Sequence, residues 1–545
     1  MKLDLRLAHR AMYNADLGEA ATVTRGACTP GTREEILKEI IAWADDISAE
    51  SPPVFWLTGP AGSGKTTITY TVAAHFDKLE ETKHTGRHTV LGGNFLCSGQ
   101  FEKTRQHSYI IPTLVYQLAR KSRSYAHALH EADKFDSVDK PTKQMEDLLV
   151  GPWQQSEFQR HVELPPYLIV VDALDEINDG GGSEFLESLL KTIKQRGLRG
   201  LKFLVTSRTD TRIVNLCKTF SSKAVCRLQD VPTERVELDI SKYLQYELPK
   251  FAGKPELKIM EQLAGNLFIA AATIVRYLTP RGRKVSESDQ CRLLSKLHDG
   301  PSFSARGARQ PLLIDKLYQQ IMRDAFSNLD DDLIQSRLRI LHTFLCTFER
   351  TPTSLTAALL SESDETVNTV LDEFHAVLYC KDGQVFWYHA SFPDFIFNQT
   401  RSTFNLDGCQ IPVSCSQAQH HALLTKCCFD RMKEWLRFNI GDITSSPLLD
   451  AEDPKLKQRV KANIKPFLRY ASLYWAQHLA QTDQKNGESL RRCITDFLDI
   501  RILFWIEAMN LFGSSGQCST MLQDMHDWVL KVRILSPEID SFLNW

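Results

Sequence analysis

No apolar run in this chain reaches the roughly twenty residues that a membrane span requires. The most membrane-like stretch, Leu267 to Leu278, is shorter and carries Arg276, so no transmembrane helix is expected. The opening residues, Met1 to Ala20, alternate charged and apolar side chains and lack the apolar core of a secretory leader, which argues against export. Neither sign of charge is in excess, with 65 Lys and Arg against 67 Asp and Glu. The chain therefore lacks the basic field on which non-specific binding to nucleic acid or acidic membranes depends. Cysteines at CxxC spacing are also missing. The 13 cysteines are scattered and odd in number, which fits free thiols in a reducing, cytoplasmic setting better than a disulfide framework. No segment repeats with a solenoid or propeller period, and no Ser/His/Asp or Cys/His hydrolase arrangement stands out.

What remains is ordinary globular material in quantity. The 545 residues are 43% apolar and 24% charged, enough for three to four domains at about 150 residues each. From Val54 to Ser207 short apolar runs alternate with helical periodicity, which predicts a parallel sheet flanked by helices. The strand candidates are Val54–Thr58, Val90–Cys97, Tyr167–Val171 and Lys202–Thr206. The last two are apolar at consecutive positions, as strands covered on both faces must be. Ile68, Val72, Phe76 and Leu79 recur at helical spacing, as do Phe185, Leu186, Leu189, Leu190 and Ile193, with a stop near Gly197. Beyond Asp230 come charged amphipathic helices that read as a lid, with Ile240, Tyr243, Leu244 and Leu248 on one side. Loop formers concentrate over Asp299–Pro311, which predicts a linker. The segment Ala376–Tyr388 reads as two strands around Lys381-Asp382-Gly383, the wing of a winged helix. The remainder is helical, with apolar stripes at Leu424, Cys428, Met432 and Trp435, and at Tyr470, Leu473, Tyr474 and Leu479.

Three motifs carry chemistry. Gly59-Pro60-Ala61-Gly62-Ser63-Gly64-Lys65-Thr66 satisfies GxxxxGK[ST] between a predicted strand and a predicted helix. The glycines let backbone N–H groups curl around a polyphosphate, and the helix N-terminus adds its positive dipole end. Lys65 is placed to reach the β- and γ-phosphates and Thr66 to offer a hydroxyl to Mg²⁺, with Thr67 just behind. The second motif, Leu168-Ile-Val-Val-Asp172-Ala-Leu-Asp175-Glu176, ends an apolar strand in three carboxylates, a costly cluster without a cation. Asp172 is the natural partner for Mg²⁺, and Asp175 or Glu176 is placed to polarise an attacking water. The third, Thr206-Ser207-Arg208, ends the next strand, and Arg208 is a candidate sensor of the γ-phosphate. His420, His421, Cys427 and Cys428 invite a zinc reading, but the helical stripe accounts for the cysteines as core and the usual ligand spacings are missing.

In combination, the P-loop, DALDE and TSR resemble the NACHT class of STAND signal-transduction NTPases, and the wording is most similar to the NACHT proteins of mushroom-forming basidiomycete fungi. Other stretches share the likeness: Gly31–Leu37 with Trp43, Pro53–Leu57, Asn94–Ser98, Gly265–Thr273, Tyr388–Phe395 and Leu468–Trp475. Residues 25–480 are thus covered, and the same region resembles what is also described as a nephrocystin-type N-terminal NTPase domain.

The resemblance implies an α/β P-loop NTPase followed by helical lid, winged-helix and α-helical C-terminal domains. Boundaries fall at 1–25 (a short leading segment), 26–230, 231–300, 301–400 and 401–545. It also implies an ATP/ADP switch with slow Mg²⁺-dependent hydrolysis: a closed ADP-bound monomer and an ATP form that self-associates, coupled to an unidentified protein partner. By matching position, His389 is the winged-helix histidine that reaches ADP, and Thr32 and Arg33 lie near the base or phosphates. Related folds commonly have Pro where this chain has Leu267. Neither an effector domain nor sensing repeats are recognisable, which reads as a stripped switch or an incomplete sequence. A competing reading is a scaffold that keeps ADP and never hydrolyses. A small-molecule or nucleotide kinase is a third, disfavoured because such enzymes finish in about 200–250 residues.

Overall fold

A computed structural model of the chain describes residues 6–15, 26–48, 50–81, 89–136, 141–156, 166–280, 283–299, 310–406, 409–443, 453, 455–483 and 487–535. The chain divides into two units, Met1–Gln320 with Trp387–Ser391, and Ile321–Phe386 with Phe392–Trp545.

The first unit is built on a five-stranded sheet: β1 (Val54–Thr58), β2 (Val90–Leu96), β3 (Tyr167–Asp172), β4 (Leu201–Ser207) and β5 (Val225–Arg227). Their spatial order is β2-β3-β4-β1-β5, and every pairing is parallel. The four strands read from the sequence are present with ends shifted by one residue or none. The short β5 carries only one fully buried position, too little pattern to predict. Parallel pairing needs a crossover between successive strands, and helices supply most of that cover: α1 (Glu34–Asp45), α2 (Lys65–Glu81), α3 (Ile110–Lys121) and α4 (Gly181–Arg196).

Alternation along the strands sorts the core into two layers. Trp56, Ile169, Val171, Phe203 and Val205 join Leu114, Phe185 and Leu189 on one face. Phe55, Leu57, Leu168, Val170 and Leu204 join Ile36, Ile40, Ile68, Val72 and Phe76 on the other. Both layers are apolar, which is why β3 and β4 read as continuous apolar runs. The expected helix position Leu79 lies among residues whose side chains are outside the description. As expected, α4 stops at Gly197, whose φ of 65° ends the helix. The leading segment is part of this core: Ala8 and Ala11 are buried, and the Ala8 N–H donates to Thr113 Oγ1 at 3.0 Å.

After the sheet come α5 (Thr233–Glu247), with Val236, Ile240 and Leu244 buried, and α6 (Phe268–Leu278), buried along most of its length. Of the linker expected over Asp299–Pro311, residues 300–309 lie outside the described residues. Gln310 and Pro311 are not linker: they open the helix Gln310–Phe326, whose first turn tolerates a proline because its N–H has no intrahelical partner there.

The second unit is mostly helical. It contains α7 (Asp331–Cys346), α8 (Asp364–Glu373), α9 (Gln417–Trp435), α10 (Pro466–Ala480) and α11 (Ile502–Leu511). The predicted hairpin is present as β6 (Leu378–Lys381) and β7 (Gln384–Trp387), turning through Asp382 and Gly383, both at positive φ. A second antiparallel pair, β8 (Thr403–Leu406) and β9 (Cys409–Pro412), was not expected. Trp475 of α10, Trp505 of α11, Phe429 and Phe497 form an aromatic cluster. In the α9 stripe Leu424, Cys428 and Met432 are buried, but Trp435 is 39% exposed because it ends the helix. Among the described residues no helix is long and apolar enough to cross a membrane.

Candidate nucleotide site

The sheet register sets the site. Thr58, where β1 ends, is level with Ser207 of β4, and Val171, one residue before Asp172, is level with Val205. The carboxyl ends of β1, β3 and β4 are therefore flush, and the three motifs emerge along one edge. The topology puts β4 between β3 and β1, so Thr206-Ser207-Arg208 emerges between the glycine loop and the acidic loop.

The glycine loop connects β1 to α2. Gly62 and Gly64 take φ of 76° and 94°, in the left-handed region where glycine carries no steric cost. A Cβ on Gly62 would stand 2.0 Å from Ile269 Cγ2. The close approach is fixed by the Ile269 N–H, which donates to the Gly62 carbonyl at 3.1 Å, seating α6 on the loop. Gly62→Ala is therefore expected to destabilise the first unit by about 2–5 kcal/mol, combining left-handed strain with overpacking. Urea unfolding checks this, and an unchanged midpoint would contradict the close contact. Leu267, where related folds commonly carry Pro, is buried and immediately precedes α6.

Lys65 is almost fully buried. Its Nζ donates to the Gly59 carbonyl at 2.8 Å and the Pro60 carbonyl at 3.0 Å. Burial pushes its pKa down, while Asp175 and Asp172 act in the opposite direction. Asp172, 1% exposed, accepts at Oδ1 from Thr206 Oγ1 at 2.6 Å, and the same hydroxyl accepts from the Ala173 N–H at 2.8 Å. Asp175 takes the Arg208 backbone N–H on Oδ1 at 2.8 Å and Arg208 Nε near Oδ2 at 3.1 Å. Glu176 accepts from the Gly99 N–H at 3.1 Å, and Arg208 Nη2 lies 4.0 Å from its other oxygen. Burial raises the Glu176 pKa to about 7, against the lowering by Arg208.

His389 belongs to the first unit. The Ser391 N–H donates to its Nδ1 at 3.1 Å, which leaves Nε2 to carry the proton of the neutral ring. Burial, then Arg208, Lys65 and Arg276, hold its pKa down at about 3. Beside it the Arg276 guanidinium lies 4.2 Å over the Tyr388 ring, and Gln100 pairs with both backbone groups of Trp387. Sequence reasoning missed Arg276 and Gln100 as neighbours of this segment; neither sits in a motif.

Thr32 and Arg33 come to the same loop. Thr32 Oγ1 donates to the Thr29 carbonyl at 2.7 Å. Arg33, at φ 57° just before α1, donates from Nη2 to the Ser63 carbonyl at 3.0 Å and stacks 4.7 Å from the Phe268 ring. Its Nε and Nη1, together with Ser63 Oγ and Thr58 Oγ1, are buried without a hydrogen-bond partner. Buried polar atoms seldom stay unpaired. A cluster that includes guanidinium donors beside an open glycine loop suits a polyanion, so the residues present fit a nucleotide phosphate chain. Gly59, Pro60, Ala61, Thr66 and Thr67 complete the loop and the start of α2.

A parallel sheet of this order, with a glycine loop after β1 and carboxylates at the end of β3, is a P-loop NTPase fold. Residues 31–208 match the family described as Nephrocystin 3, N-terminal, a span running from Gly31 to the arginine that ends the TSR motif. No curated protein matches the chain. Among solved structures it is similar to the Walker-type ATPase PABY2304 of Pyrococcus abyssi, at 14% identity and TM-score 0.32, over 67% of this chain and 96% of that one. Cdc6p from Pyrobaculum aerophilum is similar at 14% identity and TM-score 0.30, over 75% of this chain and 98% of that one. The RuvB Holliday junction branch migration motor of Thermotoga maritima follows at 11% identity and TM-score 0.24, over 67% and 97%. With TM-scores of this size these likenesses add nothing to what the chain's own sheet and loops define.

Proposed function

We propose that this protein is a Mg²⁺-dependent ATP/ADP-binding switch of the NACHT type, which hydrolyses ATP slowly and changes its association state with the nucleotide held. The observation that carries the reading is the set of unpaired buried polar atoms, Ser63 Oγ, Thr58 Oγ1 and two guanidinium nitrogens of Arg33, around the glycine loop. In this reading residues 59–67 hold the phosphates, Lys65 leaves the Gly59 and Pro60 carbonyls for them, and Thr32 and Arg33 close the cradle. Thr66 and Asp172 would hold Mg²⁺, which when bound neutralises phosphate charge. Thr206 orients Asp172. Glu176 takes the proton of the attacking water, and Arg208, oriented by Asp175, meets the terminal phosphate. Residues 231–300 act as lid, 301–400 as the winged-helix domain and 401–545 as a helical domain. The fungal kinship, the cytoplasmic setting and a protein partner belong to the same proposal.

His389 gives the sharpest test. Its Nε2–H is a neutral donor at physiological pH, placed among Arg208, Lys65 and Arg276, and so is suited to a phosphate oxygen. Removing a hydrogen bond to a charged group costs about 1.5–3 kcal/mol, so His389→Ala is expected to weaken ADP retention by about 10- to 100-fold and to favour self-association. Nucleotide released on denaturation, together with light scattering, reads both. Wild type that yields no adenine nucleotide overturns the proposal. Bound ADP with no phosphate release above the Glu176→Gln level would instead make the protein a non-hydrolysing scaffold.

A further inference from the structure

We propose that the second unit holds a structural zinc ion between His342, Cys346, Cys415 and His420. Ligand atoms of His342, Cys415 and His420 all lie within 4.8 Å of one another. Cys346 brings a second sulfur to the cluster, its Sγ 3.8 Å from that of Cys415. Tetrahedral Zn²⁺ with Zn–S of about 2.3 Å sets its two sulfurs about 3.7–3.8 Å apart. The two thiols therefore already stand at the separation that a Cys₂His₂ site needs, and His342, Cys415 and His420 form its compact part.

Backbone geometry places the four donors for this purpose. His342 and Cys346 are four residues apart on α7, so they share a helix face. Cys415 immediately precedes Ser416, which caps α9, and His420 lies in the first turns of that helix. Cys346, Cys415 and His420 are each more than nine-tenths buried.

The outer hydrogen bonds select the tautomers that a metal requires. His342 Nε2 lies 3.0 Å from the Val413 carbonyl, which only accepts, so the ring donates there. Thr343 Oγ1 spends its proton on the Arg339 carbonyl at 2.8 Å, so its 3.0 Å contact with His420 Nε2 must also run from the ring. Both neutral imidazoles therefore carry their proton on Nε2 and keep a lone pair on Nδ1. Metal-binding histidines have this arrangement, with the second nitrogen donating to a carbonyl or another oxygen. Two thiols and two neutral imidazoles form a soft donor set that suits Zn²⁺ rather than Mg²⁺. Binding releases the thiol protons and ties α7 to the start of α9 across about seventy residues of chain, so the metal's binding energy adds to folding.

The site is hidden in sequence because its halves, His342-Thr-Phe-Leu-Cys346 and Cys415-Ser-Gln-Ala-Gln-His420, lie far apart. Of His420, His421, Cys427 and Cys428, whose spacing argued against zinc, only His420 belongs to the site proposed here. His421 pairs instead with His478 at 2.8 Å, and Cys428 is buried in the core.

The test uses the full chain purified under reductant. About one zinc per chain is expected to survive dialysis, and Cys415→Ser and His420→Gln are each expected to weaken retention by about tenfold or more. To keep the test independent of how either variant folds, cobalt(II) is also loaded into wild type. The bands of a tetrahedral site with a thiolate charge-transfer transition are expected, and the half-buried variant His342→Asn should shift them. A wild type holding under about a tenth of an equivalent of zinc and giving no charge-transfer band with cobalt overturns the proposal. So does a Cys346–Cys415 disulfide found by mass spectrometry in the reduced preparation.

Discussion

Lys65→Ala is expected to weaken nucleotide binding by up to about a thousandfold. The ammonium is nearly buried and at present satisfied by the Gly59 and Pro60 carbonyls. These are two acceptors of the same loop that a phosphate chain can replace with stronger, charge-assisted partners. Two such hydrogen bonds at about 1.5–3 kcal/mol each, less about 1 kcal/mol for each of the two carbonyl contacts given up, amount to about 1–4 kcal/mol. Affinity for Mg·ATP and Mg·ADP should therefore fall by about 10- to 10³-fold. Calorimetry measures this directly, and affinity within a few-fold of wild type would remove Lys65 from the site. A second readout tests the neighbourhood. Lys65 is one of the charges that hold the His389 pKa near 3, so in the variant the His389 imidazole should titrate closer to its ordinary range. The native state disfavours protonated His389, so this residue's contribution to stability falls as pH drops below about 6.5, and that loss should be smaller in the variant.

The parts of this molecule that were legible in sequence are those in which local chemistry and local geometry coincide. β1, β3 and β4 announce themselves because both faces are buried, and the glycine loop because a polyphosphate cradle needs glycine at set positions. DALDE and TSR became meaningful only through topology: Asp172 and Thr206 are 34 residues apart, yet their side chains are hydrogen-bonded because β3 and β4 are neighbours. Where contacts are made by residues with no motif of their own, the sequence is silent. Arg33 reaches the Ser63 carbonyl from a left-handed position before α1, and Ile269 forces residue 62 to be glycine from more than two hundred positions away. The His342/Cys346 and Cys415/His420 pairs illustrate the same limit. Neither pair is a motif on its own, and only the packing of α7 against α9 brings them together.

Glu176→Gln is expected to separate binding from turnover. DALDE offers two carboxylates for the attacking water, and their partners distinguish them. Both Asp175 oxygens are engaged by Arg208, one by its backbone N–H and one by Nε, which on the proposed reading suits Asp175 to positioning Arg208. Glu176 has the Gly99 N–H on one oxygen and only a distant guanidinium near the other, and burial lifts its pKa to about 7, where a general base is best matched to neutral pH. The glutamine keeps the acceptor for Gly99 but cannot take a proton, so phosphate release should drop by about 10²- to 10⁴-fold with nucleotide affinity nearly unchanged. In wild type kcat/KM should rise through about pH 7, and the variant should lose that rise. The same carboxyl sets a stability slope. Its folded pKa lies above the ordinary 4.5, so the native state keeps a proton that the unfolded chain has released, and this carboxyl's contribution to stability falls as pH climbs from about 4.5 to about 7 before levelling. In Glu176→Gln the urea midpoint at about pH 5 should therefore fall relative to that at about pH 8, compared with wild type. If Asp175→Asn abolishes turnover with binding intact while Glu176→Gln hydrolyses normally, the base is Asp175, and the proton at Glu176 is a feature of folding alone.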